Sequence, residues 1–157
     1  MRLATAIATI ALATTPVIAQ EPAAQPAQYG APIGVDRALS LVQRAMKEST
    51  AKGHKMAFAV VEPSGELVAF ARMDDVPYAS IKLAQQKART AARLRVTTQD
   101  LEERVLRGRS VLLSSDEVIA IGGGVPIVVN GKIVGALGVS GGTAAQDTAV
   151  ATVALAR

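Results

Sequence analysis

Residues 125–139 read VPIVVNGKIVGALGV, two apolar runs separated by Asn130-Gly131. Asn-Gly between apolar runs is the strongest short-range signal for a β-hairpin, because both residues accept the positive φ angles of a tight two-residue turn. The sequence therefore predicts one strand over 125–129 and a second over 132–139.

A second hairpin is predicted nearer the N-terminus. The continuous apolar run over 56–61 is typical of a strand that is buried on both faces. Pro63-Ser64-Gly65 forms a turn, and residues 66–73 alternate in the manner of a second strand. The two strands of this hairpin are placed at 55–62 and 66–73. A further short strand is predicted over 118–121.

Helical patterns fill the chain outside these hairpins. The predicted helices run from Val35 to just before Gly53, over 80–95, over 97–107 and from Thr143 onward. Thr143 is suited to begin the last helix, because Gln146 stands three residues later and completes a capping box. Strands that neighbour each other in hairpins argue against βαβ units. We therefore predict an α+β fold, with helices packed on an antiparallel sheet.

The first residues resemble a secretory signal. A basic start is followed by the apolar run Leu3–Ala13, and small or apolar residues precede Ala19-Gln20. The alternative is a short membrane anchor, but the run is too short to span about 30 Å of hydrocarbon. We expect cleavage between Ala19 and Gln20 and a periplasmic or secreted protein, with no transmembrane segment in the mature chain.

The predicted organisation has three parts. Residues 1–19 are the signal peptide, residues 20–32 are a flexible, proline-containing tether, and residues 33–157 form one domain.

The composition excludes several kinds of chemistry. The chain has no cysteine and one histidine, His54, which excludes disulfide frameworks, cysteine nucleophiles and histidine-cluster metal sites within one chain. The net charge is +4, but no DNA-reading motif accompanies it, and the aromatic residues number two Phe and two Tyr. Nucleic acid is therefore not expected as a partner.

Lys87 is the most informative charged residue. On a helical wheel it lies within the apolar arc that contains Ala84 and Ala91. One interpretation is that Lys87 faces a pocket and binds an anionic group such as a carboxylate. The alternative is an internal ion pair with Asp74 or Asp75, or a stem that reaches outward to water.

Arg72 and Asp74 lie at the end of the N-terminal hairpin. Arg72 has the chemistry to hold a carboxylate through two parallel hydrogen bonds. Asp74 is placed to pair with Lys87 or to cap the next helix. The alternative for both residues is a structural ion pair and cap.

Two glycine-containing segments are candidate ligand-binding loops. Gly141-Gly142-Thr143, at the start of a helix, offers free N–H groups that suit a phosphate or a propionate, or forms a plain helix cap. Gly123 and Gly124 allow either a close approach to a ligand or a bend in the backbone.

Four segments, in order along 33–155, resemble a known family of small haem-binding proteins. They are 59–74 (AVVEPSGELVAFARMD), 81–91 (IKLAQQKARTA), 123–127 (GGVPI) and 131–147 (GKIVGALGVSGGTAAQD). The family includes extracellular haem-sensing proteins of the HbpS type and the glycolate-operon protein G. The C-terminal domain of PduO-type corrinoid adenosyltransferases is related. This chain departs from the usual pattern before the first turn, where Glu62, followed by Pro63, stands in place of the usual aspartate.

The resemblance implies a profilin-like fold, in which helices cover both faces of a central antiparallel sheet. It also implies assembly into homo-oligomers from dimers to octamers, and binding of haem or a related tetrapyrrole. The family name suggests haem degradation, although no motif here indicates it. His54 is then a candidate axial ligand for haem iron, and an exposed turn histidine is the alternative. Because aromatic residues are few, we expect a shallow or intersubunit haem site.

Two functions follow from the sequence. The first is an exported haem- or tetrapyrrole-binding protein, more a binder than an enzyme, with a scavenging or sensing role. The second is a small cofactor-independent enzyme, or a sensor of a small organic acid, that uses Lys87 with Arg72 and Asp74.

Overall fold

Four helices and four strands make up the part of the chain that the computed structural model describes, residues 25–156. In chain order they are α1 (Val35–Ala51), β1 (Ala57–Val61), β2 (Leu67–Arg72), α2 (Ala79–Leu94), α3 (Thr98–Leu106), β3 (Gly124–Val129), β4 (Lys132–Ser140) and α4 (Ala144–Leu155), with a 3₁₀ helix at Ser110–Ser114 between α3 and β3. The predicted signal peptide, residues 1–19, lies outside the described residues. No described helix has the length and apolar character needed to span a membrane.

The strands form one antiparallel sheet in the order β2-β1-β4-β3. Both predicted hairpins are present, β1 with β2 and β3 with β4. The turn between β3 and β4 has positive φ at both central residues, 50° at Asn130 and 74° at Gly131, as its sequence requires. The predicted α+β fold with an antiparallel sheet is therefore confirmed.

Helices cover both faces of this sheet. Side chains alternate between faces along a strand, so Phe58 of β1 packs in the cluster formed with α1 and α4, and Ala59 packs in the cluster formed with α2. Every residue of β1 is buried, which confirms the expectation from its continuous apolar run.

The alanine-rich α2 lies very close to the sheet. Gly124 of β3 stands opposite Gly138 of β4 in the strand register. A Cβ at Gly138 would collide with the carbonyl oxygen of Ala84, and one at Gly124 would collide with that of Lys87. The glycine pair therefore provides the flat surface on which the backbone of α2 packs.

The predicted strand over 118–121 is wrong. These residues are irregular. The backbone N–H of Ile119 donates to the side-chain oxygen of Thr90 on α2 at 3.1 Å, and the Thr90 hydroxyl donates to the carbonyl of Glu117 at 2.9 Å. A buried threonine of α2, and not a neighbouring strand, thus provides the hydrogen-bond partner for the backbone of this segment.

Part of the predicted tether belongs to the folded body. Gly30 donates to the carbonyl of Ile133 at 2.8 Å, and Ile133 donates to that of Gln28 at 2.8 Å. The Tyr29 hydroxyl lies 2.9 Å from the carbonyl oxygen of Arg93, at the end of α2. Residues 28–30 are therefore held on β4 and α2 by hydrogen bonds that the proline-containing composition did not indicate.

Candidate functional site

One end of the sheet carries most of the residues that the sequence singled out. His54 precedes β1, Arg72 ends β2 and Asp74 follows it, Gly123 precedes β3, and Gly141 follows β4. The register places these strand ends together, since Ala57 pairs with both Arg72 and Ser140. Across this end the order is Arg72, His54, Gly141, Gly123.

A buried ion pair lies on the β3 side of this end. The Lys87 ammonium lies 2.7 Å from Oδ2 of Asp147 on α4, and it donates to the carbonyl of Val139 at 3.2 Å. Only 1% of Lys87 is exposed. Since α2 and α4 lie on opposite faces of the sheet, this pair connects the two helical layers around the beginning of β3.

The partner predicted for Lys87 was therefore wrong, although an internal ion pair was one of the alternatives. Asp147, and not Asp74 or Asp75, occupies the position. The sequence carried a signal for it, because Asp147 is the one charged residue in the otherwise uncharged α4 segment AAQDTAVATVAL. An aspartate in the first turn of a buried helix has to find a donor.

Gly123 makes room for this pair. Its φ is +124°, and a Cβ there would lie 3.0 Å from Nζ of Lys87 and 2.9 Å from Cβ of Asp147. The observed role of Gly123 and Gly124 is thus close backbone packing, against the ion pair and against α2 respectively.

Two side chains of α3 that were not predicted from the sequence hold the glycine loop at residues 122–124. The backbone N–H of Gly122 donates to Oε2 of Glu102 at 2.9 Å, and that of Gly124 donates to the Thr98 hydroxyl at 2.8 Å. Thr98 and Glu102 are four residues apart, so both lie on one face of α3. The spacing of Thr98 and Glu102 is visible in the sequence, but nothing in the sequence indicates the backbone N–H groups to which they are bound.

The Gly141–Thr143 segment forms a capped helix start. Thr143 accepts a hydrogen bond from the N–H of Gln146 at 3.3 Å, and the Gln146 side chain accepts one from the N–H of Thr143 at 2.9 Å. The N–H of Gly142 donates to Oδ1 of Asp147 at 2.9 Å. The predicted capping box is confirmed, and side chains of this chain accept from three N–H groups at this helix start.

Arg72 and Asp74 line an open concavity on the β2 side of the same end. Its volume is about 650 Å³, and its other lining residues are Asp75, Val76, Pro77 and Tyr78. The guanidinium carbon of Arg72 lies 6.0 Å from the centroid of the Tyr78 ring. Tyr78 is 82% exposed, so its ring is accessible to a ligand.

The structure does not bring Lys87 into this concavity. Its ammonium is buried against Asp147 and Val139, and it does not line the concavity of Arg72 and Asp74. The predicted three-residue pocket for a small organic acid is therefore wrong, because α4 supplies the carboxylate that neutralises the lysine.

His54 lies between these two sides. Its backbone N–H donates to the carbonyl of Ser49 at 3.0 Å, and the Ser49 hydroxyl donates to its carbonyl at 3.0 Å. The residue is half-buried. Within residues 25–156 no group of three or more His, Cys, Asp or Glu side chains is arranged to hold a metal ion.

Comparison with known protein families gives a match over most of the chain. The family model described as haem degrading protein HbpS-like matches residues 33–156. The chain is also 40% identical to protein GlcG of Escherichia coli strain K12 over 103 residues, which are 66% of this chain and 77% of GlcG.

Solved structures show the same fold. The crystal structure of Klebsiella pneumoniae protein ORFY has a TM-score of 0.74 and 29% identity, and covers 88% of this chain and 96% of its own. The crystal structure of a PduOC:heme complex has a TM-score of 0.71 and 28% identity, and covers 80% of this chain and 94% of its own.

Proposed function

This chain belongs to the HbpS-like family, and on that basis we propose that it is an exported protein that binds haem or a related tetrapyrrole, with a scavenging or sensing role. The observation that carries the proposal is the similarity to PduOC, whose structure is a complex with haem and whose chain is covered almost completely.

The concavity of Arg72 and Tyr78 has the chemistry for a shallow tetrapyrrole site. The exposed Tyr78 ring offers a face for stacking against a planar macrocycle. The Arg72 guanidinium offers a fork of donors for a propionate. Asp74 and Asp75 repel a carboxylate, so the propionates are oriented toward Arg72 and away from these two aspartates.

The one histidine of the chain, His54, precedes β1, the strand next to the one whose end carries Arg72. The backbone N–H of Met73 donates to the carbonyl of Met56 at 3.1 Å, which sets the residues after β2 beside those before β1. When bound, haem supplies an iron centre that an imidazole nitrogen can ligate. One end of the sheet thus carries the Tyr78 ring for stacking, the Arg72 guanidinium for a propionate and the His54 imidazole as a candidate ligand of the iron.

Haem titration tests this proposal. Haem is added to the chain from Gln20 onward, and the Soret band is expected to shift and saturate. Arg72→Gln and Tyr78→Ser are expected to weaken binding about tenfold each, as is typical of one lost charge-assisted hydrogen bond or one lost stacking face. His54→Ala is expected to alter the band shape.

Arg95→Gln is the matched control. Arg95 lies 5.4 Å from the centroid of the Tyr29 ring, in a similar arginine–tyrosine pair that does not line this concavity. Its variant is expected to bind haem as the unmodified chain does. A titration that never saturates, or one in which Arg72→Gln and Arg95→Gln behave alike, contradicts the proposed site.

Export and self-association complete the proposal. Export rests on the apolar segment before Ala19-Gln20, and mass spectrometry of the protein recovered outside the cytoplasm is expected to find Gln20 at its N-terminus. A chain that remains in the cytoplasm with residues 1–19 intact contradicts it. Self-association, from dimer to octamer, rests on the family resemblance and is measured by sedimentation.

A further inference from the structure

A groove of about 260 Å³ lies between α2 and the beginning of β2. One of its walls is formed by four long polar side chains of α2, which lie on one face of that helix because they are three, four or seven residues apart. These are Lys82, Gln85, Gln86 and Arg89. The opposite wall is the turn between β1 and β2 together with Leu67. The groove thus combines two cations and two amides with the edge of the sheet.

The Arg89 side chain is held in place by the turn. Gly65 has a φ of +91°, and a Cβ there would lie 2.8 Å from Cγ of Arg89, so the stem of the arginine packs directly on the turn backbone. The guanidinium lies 3.8 Å from the carboxylate of Glu66, and both side chains are exposed. An exposed pair at this distance is weak. The arginine is therefore positioned while its charge stays available to a stronger anion.

Lys82 supplies a second cation to the groove. It is exposed, and no carboxylate of residues 25–156 lies within ion-pair distance of its ammonium. Lys82 and Arg89 are seven residues apart on α2, which places their Cα atoms about 10 Å apart along the helix axis. Two cations at this separation suit the two ends of one elongated dianion better than a single compact anion.

The space between the two cations suits the middle of such a ligand. Val61 ends β1 and pairs with Leu67 in the strand register, and both line the groove, which gives an apolar wall for methylene groups. Gln85 and Gln86 stand between the cations along α2. The Gln85 amide nitrogen donates to the carbonyl of Ile81 at 2.9 Å, which orients this amide in the groove.

We propose that this groove binds a small aliphatic dicarboxylate. One carboxylate pairs with Lys82, and the other displaces Glu66 from Arg89. The methylene groups lie against Val61 and Leu67. The groove is a second site, because it lies at the beginning of β2, whereas Arg72 ends this strand about 17 Å away at the usual rise per residue. Neither site shares a lining residue with the other, so each proposal stands or fails alone.

An NMR titration with glutarate tests the proposal. Glutarate is added at low ionic strength to the ¹⁵N-labelled chain from Gln20 onward. The amide signals of Gly65, Leu67 and Gln86 are expected to shift and to saturate. Butyrate, which has one carboxylate, is expected to bind at least about threefold more weakly, because it leaves one of the two cations without a partner.

Variants of the charged residues test the roles of the two cations and of Glu66. Lys82→Gln and Arg89→Gln are each expected to raise the dissociation constant of glutarate at least about threefold and to reduce its advantage over butyrate. Glu66→Gln is expected to lower it, because it removes the carboxylate that competes for Arg89. Arg104→Gln is the matched control, since Arg104 is an exposed cation of α3 that does not line the groove. Circular dichroism verifies that all four variants are folded.

Three results would overturn the proposal. They are a titration without saturable shifts at the groove, equal affinities for glutarate and butyrate, and a Lys82→Gln variant that binds glutarate as Arg104→Gln does. Haem is titrated separately, because its two propionates offer the same chemistry as a dicarboxylate. Haem that shifts the amide signals of the groove and displaces glutarate assigns the groove to the tetrapyrrole and overturns its assignment to a small acid.

Discussion

Replacing Lys87 by methionine removes the charge while keeping a long side chain in the same space. The Asp147 carboxylate then stays buried, with the Gly142 N–H at 2.9 Å as its remaining hydrogen-bond donor from outside the α4 backbone. The carbonyl of Val139 also loses its contact with the ammonium. Removing one partner of a buried ion pair typically costs about 3–5 kcal/mol. We expect a loss of that size in the free energy of unfolding.

The assay is urea unfolding followed by circular dichroism. Arg89→Met is the matched control on the same helix, because the Arg89 side chain is 45% exposed and lies 3.8 Å from the Glu66 carboxylate. An exposed pair of this kind contributes less than about 1 kcal/mol. The difference between the two methionine variants therefore isolates the effect of burial.

A double-mutant cycle with Asp147→Asn completes the test. Once Lys87 is methionine, removing the carboxylate charge relieves part of the cost, so the two changes are expected to couple by about 1–3 kcal/mol. If Lys87→Met costs no more than Arg89→Met, or if the effects of Lys87→Met and Asp147→Asn simply add, the account of the ion pair is refuted.

Two further changes test the packing and the cap. Gly124→Ala forces a Cβ against the backbone of α2 and is expected to lower the free energy of unfolding in urea by about 1–3 kcal/mol. Gly34→Ala is the control, because a Cβ there meets no atom within 4 Å, and its free energy of unfolding is expected to stay within about 1 kcal/mol of that of the unmodified chain. Thr143→Ala removes the cap of α4 and is expected to cost about 1 kcal/mol while haem affinity stays unchanged. Equal stability of the two alanine-for-glycine variants would contradict the packing role, and a loss of haem affinity in Thr143→Ala would contradict the cap as its sole role.

The elements that could be predicted from the sequence are those specified by neighbouring residues. Asn130-Gly131 determines a turn through its own backbone preferences, and Thr143 with Gln146 satisfies the first N–H groups of α4 within four residues. The predicted strand over 118–121 is wrong because its apolar residues resemble a strand locally. The acceptor of the Ile119 N–H group is Thr90, which lies 29 positions earlier in the chain and could not be identified from neighbouring residues.

Lys87 could be identified from the sequence as a residue of the site, but the partner of its ammonium group could not. The position of Lys87 in an apolar arc correctly required an internal partner or an exit to water, but the partner lies 60 positions away, on a helix of the opposite layer. Choosing Asp147 over Asp74 requires knowing where α2 lies on the sheet. That position depends on the close approach of the α2 backbone to Gly124 and Gly138, which no local pattern specifies.

A crystal of the haem-loaded protein, measured at the iron absorption edge, tests the central claim most directly. The anomalous difference map locates the iron without reference to any assumed ligand. The account predicts one iron peak at the end of the sheet that carries His54, with the macrocycle against Tyr78 and a propionate on Arg72. A peak near Tyr29 and Arg95, or on the exposed face of α1, would contradict it.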